Sequence, residues 1–377
     1  MFEAFLSITL SFFIAFFTLP VIIRIARQRS LYDVPDARKI HTTQIASLGG
    51  FAIFAGFILA TLLSMPYPHA IEFQYYIAAS LIIFFLGLND DILSLSPYKK
   101  FAGQLLAAFL IIYKGGISLN GMHGILNLRE LPPSIDLILT YFTVILIINA
   151  FNLIDGIDGL AGSLGLMASL ILGIYFFKVN LIPYGILSLS LSGSLLAFLI
   201  FNFHPAQIFM GDCGSLLVGL IISILVIKFI NVAPGNEVLP FTASPAIAFS
   251  LLLIPLLDTF RLFSLRILSG HSPFIPDRNH IHHILLRKGF SHRKITLMLV
   301  SINLLFISFA CVASSMGNSW IIFIQASLFF IAISLLCPTY FKRHSPADKP
   351  IRRASVKSIP ISESIAISRD SVLFQEN

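Results

Sequence analysis

Long apolar runs separated by short polar segments form the dominant pattern of this chain. A helix needs about 20 apolar residues to cross a bilayer, and about eleven runs reach or approach that length. They lie near 4–23, 46–65, 71–88, 101–119, 135–151, 160–178, 182–203, 213–231, 244–266, 295–315 and 318–338. The runs are continuous and lack the short alternation of outer-membrane strands, so the pattern predicts helices. We therefore expect an all-α, polytopic membrane bundle of about eleven transmembrane helices.

Composition and charge placement support a membrane protein and give it an orientation. Hydrophobic residues make up 56% of the 377 residues and charged residues only 11%, against about 25% charged in a soluble domain. The net charge is +7, and most Lys and Arg fall in cytoplasmic segments if the amino terminus lies outside. An odd number of spans then places the carboxyl terminus in the cytoplasm. The run at 101–119 is the weakest, because Tyr113-Lys114-Gly115-Gly116 shortens it.

Two regions of unequal size follow from the same pattern. A membrane-embedded domain is expected over 1–341, and a basic tail over 342–377 is rich in Ser, Arg and Lys, which predicts disorder. The first apolar run has its cations after it, at Arg24, Arg27 and Arg29. That order is the reverse of a cleavable signal peptide, so we expect a retained span.

Four polar clusters stand at the ends of apolar runs, and the predicted topology puts all four on the cytoplasmic side. They are Asn89–Asp91, Asn152–Gly159, Met210–Gly214 and Asp277–His283. A charge at bilayer depth costs at least about 2.5–3.5 kcal/mol, so such groups need partners or a function. Carboxylates and imidazoles gathered at one face predict a site that binds metal and phosphate.

The first cluster contains the adjacent acids Asp90 and Asp91, with Lys99 and Lys100 close behind. The carboxylates call for a partner at this depth, and the lysines could hold phosphate oxygens as point charges. The alternative is an interfacial turn whose carboxylates are simply hydrated.

The second cluster has a period of three residues. Asn149, Asn152, Asp155 and Asp158 fall on one face while the helix lasts, and two glycines, at 156 and 159, then let the backbone approach a ligand. The alternative is a glycine-hinged loop between two spans, with its polar groups facing water.

The third cluster opens the eighth predicted span with Gly211, Asp212 and Gly214. Free amides at a helix start favour phosphate, and Asp212 could both cap the helix and ligate a hard cation. Capping alone would explain Asp212 but not the glycines around it.

The fourth cluster gathers an arginine and three histidines, namely Arg278, His280, His282 and His283. Imidazoles beside an arginine could bind zinc, accept protons or hold phosphates, and the surrounding carboxylates suit Mg²⁺ better than zinc. Incidental histidines in a hydrated loop are the alternative. Asp258 and Arg261, one helical turn apart nearby, are expected to pair with each other.

With these clusters in order, the chain resembles the polyprenyl-phosphate N-acetylhexosamine-1-phosphate transferases, from Asp33–His41 to Ser291-His292. The resemblance implies a bundle of ten or eleven membrane helices in the bacterial inner (cytoplasmic) membrane, with its active site facing the cytoplasm. It also implies Mg²⁺-dependent transfer of a sugar-1-phosphate from a UDP-N-acetylhexosamine to undecaprenyl phosphate, with release of UMP. GlcNAc-1-phosphate is the expected group, and Mn²⁺ is a second candidate cofactor.

The resemblance also assigns roles to individual residues. Asp90 and Asp91 match the family's catalytic acidic pair, while Asp212 and Asn152 match its metal site. The substrate-binding set comprises Lys100, Asp155, Asp158, Arg278, His280, His282 and His283. Ile281 interrupts the three consecutive histidines of the muramoyl-pentapeptide branch, which argues against a peptidoglycan precursor as substrate.

Several alternatives stay open at the level of the sequence. GalNAc, FucNAc or QuiNAc could replace GlcNAc. The polymer built on the lipid is also open, with O-antigen (a lipopolysaccharide), teichoic acid (a cell-wall polymer), enterobacterial-type antigen and capsule as the options. The lipid phosphate could attack directly or after a covalent aspartyl intermediate. A transporter of an anionic solute is the main rival, but it predicts two related halves and polar residues near mid-membrane. Membrane lipid is an expected partner and nucleic acid is not, and a homodimer is compatible with the chain.

Overall fold

The computed structural model describes residues 2–28, 45–66, 71–270 and 279–336. These residues belong to one unit, Met1–Leu336, and are overwhelmingly helical, as the apolar pattern predicts. Within them, the one extended pairing is an isolated bridge between Ala46 and Ile208. Arg278 and the 342–377 tail lie outside the described residues, so the expectations for them stay predictions.

Thirteen α-helices follow one another in the described part of the chain. They are α1 (Phe2–Gln28), α2 (Gly49–Ser64), α3 (Phe73–Leu93), α4 (Pro97–Phe109), α5 (Pro133–Ile154), α6 (Leu160–Lys178), α7 (Ile182–Asn202), α8 (Gly211–Val232), α9 (Ser244–Leu251), α10 (Leu253–Leu268), α11 (Ile281–Arg287), α12 (His292–Val312) and α13 (Asn318–Leu336). A π-helical turn, Leu110–Lys114, continues α4.

Each of the apolar runs coincides with one of these helices or with a helical pair. In the described residues, 8 helices are long and apolar enough to cross a membrane, and the bent pair α9–α10 would make a ninth. Helix α2 has 16 residues, and α4 has 13 residues followed by the π-helical turn that ends at Lys114. The protein is therefore a multi-pass membrane protein, while eleven crossings and the orientation of the termini stay predictions.

One run that the sequence presents as a single straight span is bent by 78° between α9 and α10. Pro255 lacks an amide hydrogen, so the carbonyl of Leu251 cannot receive its usual helical hydrogen bond. Asn303 of α12 compensates, because its side-chain nitrogen donates to the carbonyls of Ser250 and Leu251, each at 3.0 Å. Its oxygen accepts from the Ile254 amide at 3.3 Å. The backbone groups that lose their helical partners at the bend thus find hydrogen-bond partners inside the protein, which is necessary because lipid offers none.

Helix α8 is the centre of the bundle. It packs against α3 and α5, and most of its residues from Cys213 to Ile230 are buried. A Cβ added at Gly219 would lie 2.6 Å from the Cα of Ile148, so α5 and α8 approach as closely as small residues allow. The polar start of α8 is consequently held at the middle of one end of the bundle.

Candidate active site

The start of α8 is enclosed by glycines of α2 and α3. A Cβ at Gly50 would lie 2.2 Å from the amide nitrogen of Gly214, and one at Gly87 would lie 2.4 Å from the Cα of Cys213. Gly211 has φ +72°, which side chains rarely tolerate. The site therefore forms where three backbones meet at van der Waals distance.

Asp91 caps this helix start. Its Oδ1 accepts a hydrogen bond from the Asp212 amide at 2.7 Å, and its Oδ2 accepts one from the Cys213 amide at 3.1 Å. The prediction that these amides are free for phosphate, or that Asp212 caps its own helix, is therefore wrong. Asp91 supplies the negative charge that a helix amino terminus favours, and Asp212 is released for other contacts.

Lys100 joins three residues that are far apart in the sequence. Its Nζ lies 2.9 Å from Asp90 Oδ2 and donates a shorter bond to Asp212 Oδ2. It also lies 3.3 Å from Asn152 Oδ1. The Leu95 amide holds the other Asp90 oxygen at 2.6 Å. The partners expected for the acidic pair are thus Lys100 for Asp90 and the α8 backbone amides for Asp91.

Asn152 links α5 to α8 in the same cluster. Its Nδ2 donates to Asp212 Oδ1 at 2.6 Å and to Ser215 Oγ at 3.0 Å. Asn149, one turn earlier, instead exchanges hydrogen bonds with Gln104 of α4, the shorter at 2.9 Å. The three-residue period therefore marks two different roles: Asn152 contacts the site, and Asn149 forms a partly buried tie between α4 and α5. Only the first role was predicted.

Asp155 follows directly on α5 and is half-buried beside these groups. Burial, together with the negative charges of Asp212, Asp91 and Asp158, raises the pKa of Asp155 to about 8. Burial is the largest cause of this shift, and the neighbouring carboxylates add to it. Such a setting is typical of a functional site.

Asp158 occupies a second, adjoining cluster. His204 Nδ1 lies 2.7 Å from its Oδ2 and His292 Nδ1 lies 3.2 Å from its Oδ1, while the Ala206 amide donates to Oδ2. Burial alone would raise the pKa of Asp158, but the hydrogen bonds from His292 and His204 outweigh it and lower the pKa to about 2.

The four polar clusters include neither His204 nor His292, and His292 stands only at the end of the segment that carries the family resemblance. Their ligand atoms and the Asp158 carboxylate lie within 4.8 Å of one another, a spacing that could hold a metal ion. Hydrogen bonding already explains the arrangement, since it anchors the 155–159 loop to α12 and to the segment after α7. A nucleotide-binding role for Asp158 stays a prediction.

The histidine cluster meets the second polar cluster through Gly156. A Cβ at Gly156 would lie only 2.2 Å from His282 Nε2, so the imidazole packs directly on the loop backbone. Burial, followed by the neighbouring His283 and His280, lowers the pKa of His282 well below its ordinary value. His283 lies beside it, with ring centroids 4.3 Å apart. All four polar clusters therefore meet at one end of the bundle.

Comparison with known proteins supports the same assignment. Residues 73–230 match the model of glycosyl transferase family 4. An undecaprenyl-phosphate alpha-N-acetylglucosaminyl 1-phosphate transferase of Haemophilus influenzae is 34% identical over 342 residues, covering 86% of this chain and 91% of its own. A decaprenyl-phosphate N-acetylglucosaminephosphotransferase of Mycobacterium leprae is 32% identical and covers 76% and 77%. The chain belongs to glycosyl transferase family 4.

This family membership confirms the resemblance to polyprenyl-phosphate sugar-phosphate transferases that the four clusters indicate. The four polar clusters gather at one end of the bundle, whereas the anionic-solute transporter predicts its polar site near mid-membrane, so the family assignment and the geometry both argue against that rival. The geometry brings together Asp90, Asp91, Lys100, Asn152 and Asp212, as the family motifs imply.

The donor set of this family 4 site fits a hard divalent cation. Among the described residues, the carboxylates of Asp90, Asp91 and Asp212 outnumber the one ammonium in the cluster, Lys100, which bridges Asp90 and Asp212. The potential ligands are carboxylate and amide oxygens, which Mg²⁺ and Mn²⁺ prefer. Asp212 and the carbonyl oxygen of Asn152 are the residues that would hold it.

Proposed function

We propose that the protein transfers GlcNAc-1-phosphate from UDP-GlcNAc to undecaprenyl phosphate, releasing UMP, at the cytoplasmic face of a bacterial inner membrane. The observation that carries the proposal is the Asp90–Lys100–Asp212–Asn152 cluster, in which α3, α4, α5 and α8 meet. The product would start a lipid-linked cell-envelope polysaccharide.

The reaction forms one phosphorus–oxygen bond and breaks another. An oxygen of the lipid phosphate attacks the sugar-bearing phosphorus of the UDP-sugar, and the oxygen of UMP leaves. Both reactants are anionic, so their approach is opposed by charge repulsion. Mg²⁺, when bound by Asp212 and Asn152, supplies positive charge that offsets this repulsion.

Lys100 and Asp90 act on the attacking phosphate in this mechanism. The Lys100 ammonium is held between two carboxylates and can exchange one of them for a phosphate oxygen. Asp90, which keeps one oxygen towards Lys100, orients the lipid phosphate or accepts its proton. Asp91 suits that role less well, because both of its oxygens accept bonds from backbone amides of α8, whereas one Asp90 oxygen binds a lysine side chain that can move.

The surface beside the cluster suits a lipid substrate. Ile92 and Leu93, directly after the acidic pair, are 57% and 69% exposed, and Tyr98 of α4 is 88% exposed. Apolar groups exposed next to buried charges allow a long isoprenoid chain to stay in the bilayer while its phosphate reaches Lys100.

The test is transfer by purified protein, with a panel of radiolabelled UDP-N-acetylsugars and undecaprenyl phosphate. Asp212→Asn should abolish Mg²⁺-dependent transfer, and Asp90→Asn should lower it by at least about 10²-fold. Asp136→Asn is the matched control, because Asp136 lies at the opposite end of α5 and bonds the Gly121 amide. Near-normal transfer by Asp212→Asn would contradict the proposed site.

A further inference from the structure

A second buried ion pair lies behind the histidine cluster, on the helix that follows the bend. Asp258 of α10 is 1% exposed and Arg261 is 6% exposed. The Arg261 guanidinium lies 2.8 Å from Asp258 Oδ1, so the pairing expected from the sequence is confirmed. The site described above does not use either residue.

The pair does more than neutralise itself, because it binds the loop that carries the histidines. His280 Nδ1 lies 2.9 Å from Asp258 Oδ2, and the Ile281 amide donates to both carboxylate oxygens at 3.1 and 3.2 Å. Arg261 also donates to the Asn279 carbonyl. Three successive residues, Asn279, His280 and Ile281, are thus tied to α10 where α11 begins.

These contacts fix where His280 carries a proton. A carboxylate paired with arginine only accepts hydrogen bonds, so the Nδ1 that faces Asp258 must be the protonated nitrogen. In neutral His280 the other nitrogen, Nε2, is then left as an acceptor.

The contact continues from His280 to the active site. The His280 and His282 rings lie 5.4 Å apart with an interplanar angle of 8°, and His282 packs on Gly156 next to Asp155. Neither ring nitrogen of buried His282 has a hydrogen-bond partner in the described residues. A shift of His280 would therefore move the imidazole that touches the 155–159 loop.

We propose that Asp258, held by Arg261, is a positioning residue that sets the tautomer of His280 and, through it, places His282 over the 155–159 loop. The proposal rests on the transferase function proposed above for its kinetic consequence. A salt bridge with a purely structural role would stabilise α10 but would be indifferent to which His280 nitrogen holds the proton.

Asp258→Asn separates these roles. The substituted amide would keep its oxygen for Arg261 and the Ile281 amide, so its NH₂ group would face His280 Nδ1 and force the proton to Nε2. We expect transfer to fall about 10–100-fold, mainly in kcat, as when a supporting hydrogen-bond partner is lost. In a His280→Asn background, Asp258→Asn should cause no further loss.

Ser250→Ala is the control for these measurements. Ser250 is buried in the same bent helical pair and bonds Gln325, away from the loop, so its removal should leave kcat unchanged. Thermal unfolding of each variant reports the folded fraction. The proposal is overturned if the two losses multiply in the double variant, or if the loss follows only the folded fraction.

A spectroscopic measurement tests the tautomer without turnover. In full-length protein labelled with ¹⁵N-histidine, the His280 signals are assigned by difference from His280→Asn. We expect a proton on Nδ1 in the parent and on Nε2 in Asp258→Asn. A parent with the proton on Nε2 alone overturns the proposal, even if Asp258→Asn does not fold. If no UDP-sugar is turned over, the proposed function fails, while the tautomer result still decides the role of Asp258.

Discussion

Replacing Asp91 by asparagine tests whether this residue holds the start of α8. Asparagine keeps one acceptor oxygen, so one of the two bonds to the Asp212 and Cys213 amides is lost, along with the charge at the helix start. A hydrogen bond to a charged group contributes about 1.5–3 kcal/mol. Local opening of the first turn should become easier by about that amount, which corresponds to about 10–150-fold.

The thiol of Cys213 provides the assay, because it is fully buried in that first turn. In a background where Cys311 and Cys337 are alanine, the labelling rate of Cys213 reports local opening. We expect Asp91→Asn to accelerate labelling by at least about 10-fold. Asp90→Asn removes a neighbouring charge without touching the α8 amides and controls for the altered field. Equal rates in Asp91→Asn and Asp90→Asn would refute the capping role.

Three further changes have defined outcomes. Because the pKa of Asp155 is raised to about 8, the folded state binds more protons than the unfolded state between about pH 4 and 8, so stability falls as pH rises. In EDTA, Asp155→Asn should therefore melt at a higher temperature than the parent, by a Tm difference that grows over that range. A Tm difference that stays constant with pH would contradict the raised pKa. Gly156→Ala places a Cβ 2.2 Å from His282 Nε2, so the transfer rate of folded protein should fall at least about tenfold. The control Gly235→Ala, whose Cβ has no heavy atom within 4 Å, should leave the transfer rate unchanged. Asn303→Leu leaves backbone groups at the α9–α10 bend without hydrogen-bond partners, so the free energy of unfolding should fall by at least about 2 kcal/mol. An unchanged Tm would show that the bend does not depend on Asn303.

The positions of the helices were predictable because an apolar run that enters lipid must form its backbone hydrogen bonds internally, which a helix does. The bend within 244–266 was not, although Pro255 is a visible signal, since its direction depends on Asn303 from a helix far along the chain. By contrast, Tyr113–Gly116 correctly indicated where the weakest run ends, because a π-helical turn ends there at Lys114.

The candidate site was predictable to the extent that its residues occur in polar clusters at helix ends. Which carboxylate binds backbone amides and which binds Lys100 was not, because that depends on how α3 is rotated against α8. The capping by Asp91 required glycines on three helices, and no local pattern reports that contact. His204, His292 and Gln104 lie outside the four polar clusters, and only the packed bundle shows their partners.

The most direct test of the central claim uses UDP-GlcNAc labelled with ³²P on the sugar-bearing phosphate and with ³H in the sugar. If the clustered residues catalyse sugar-phosphate transfer, both labels should enter the undecaprenyl product in equal amounts, in the parent and not in Asp212→Asn. Tritium without ³²P would show transfer of the sugar alone. That result, or no labelled lipid with any UDP-N-acetylsugar, would contradict the account.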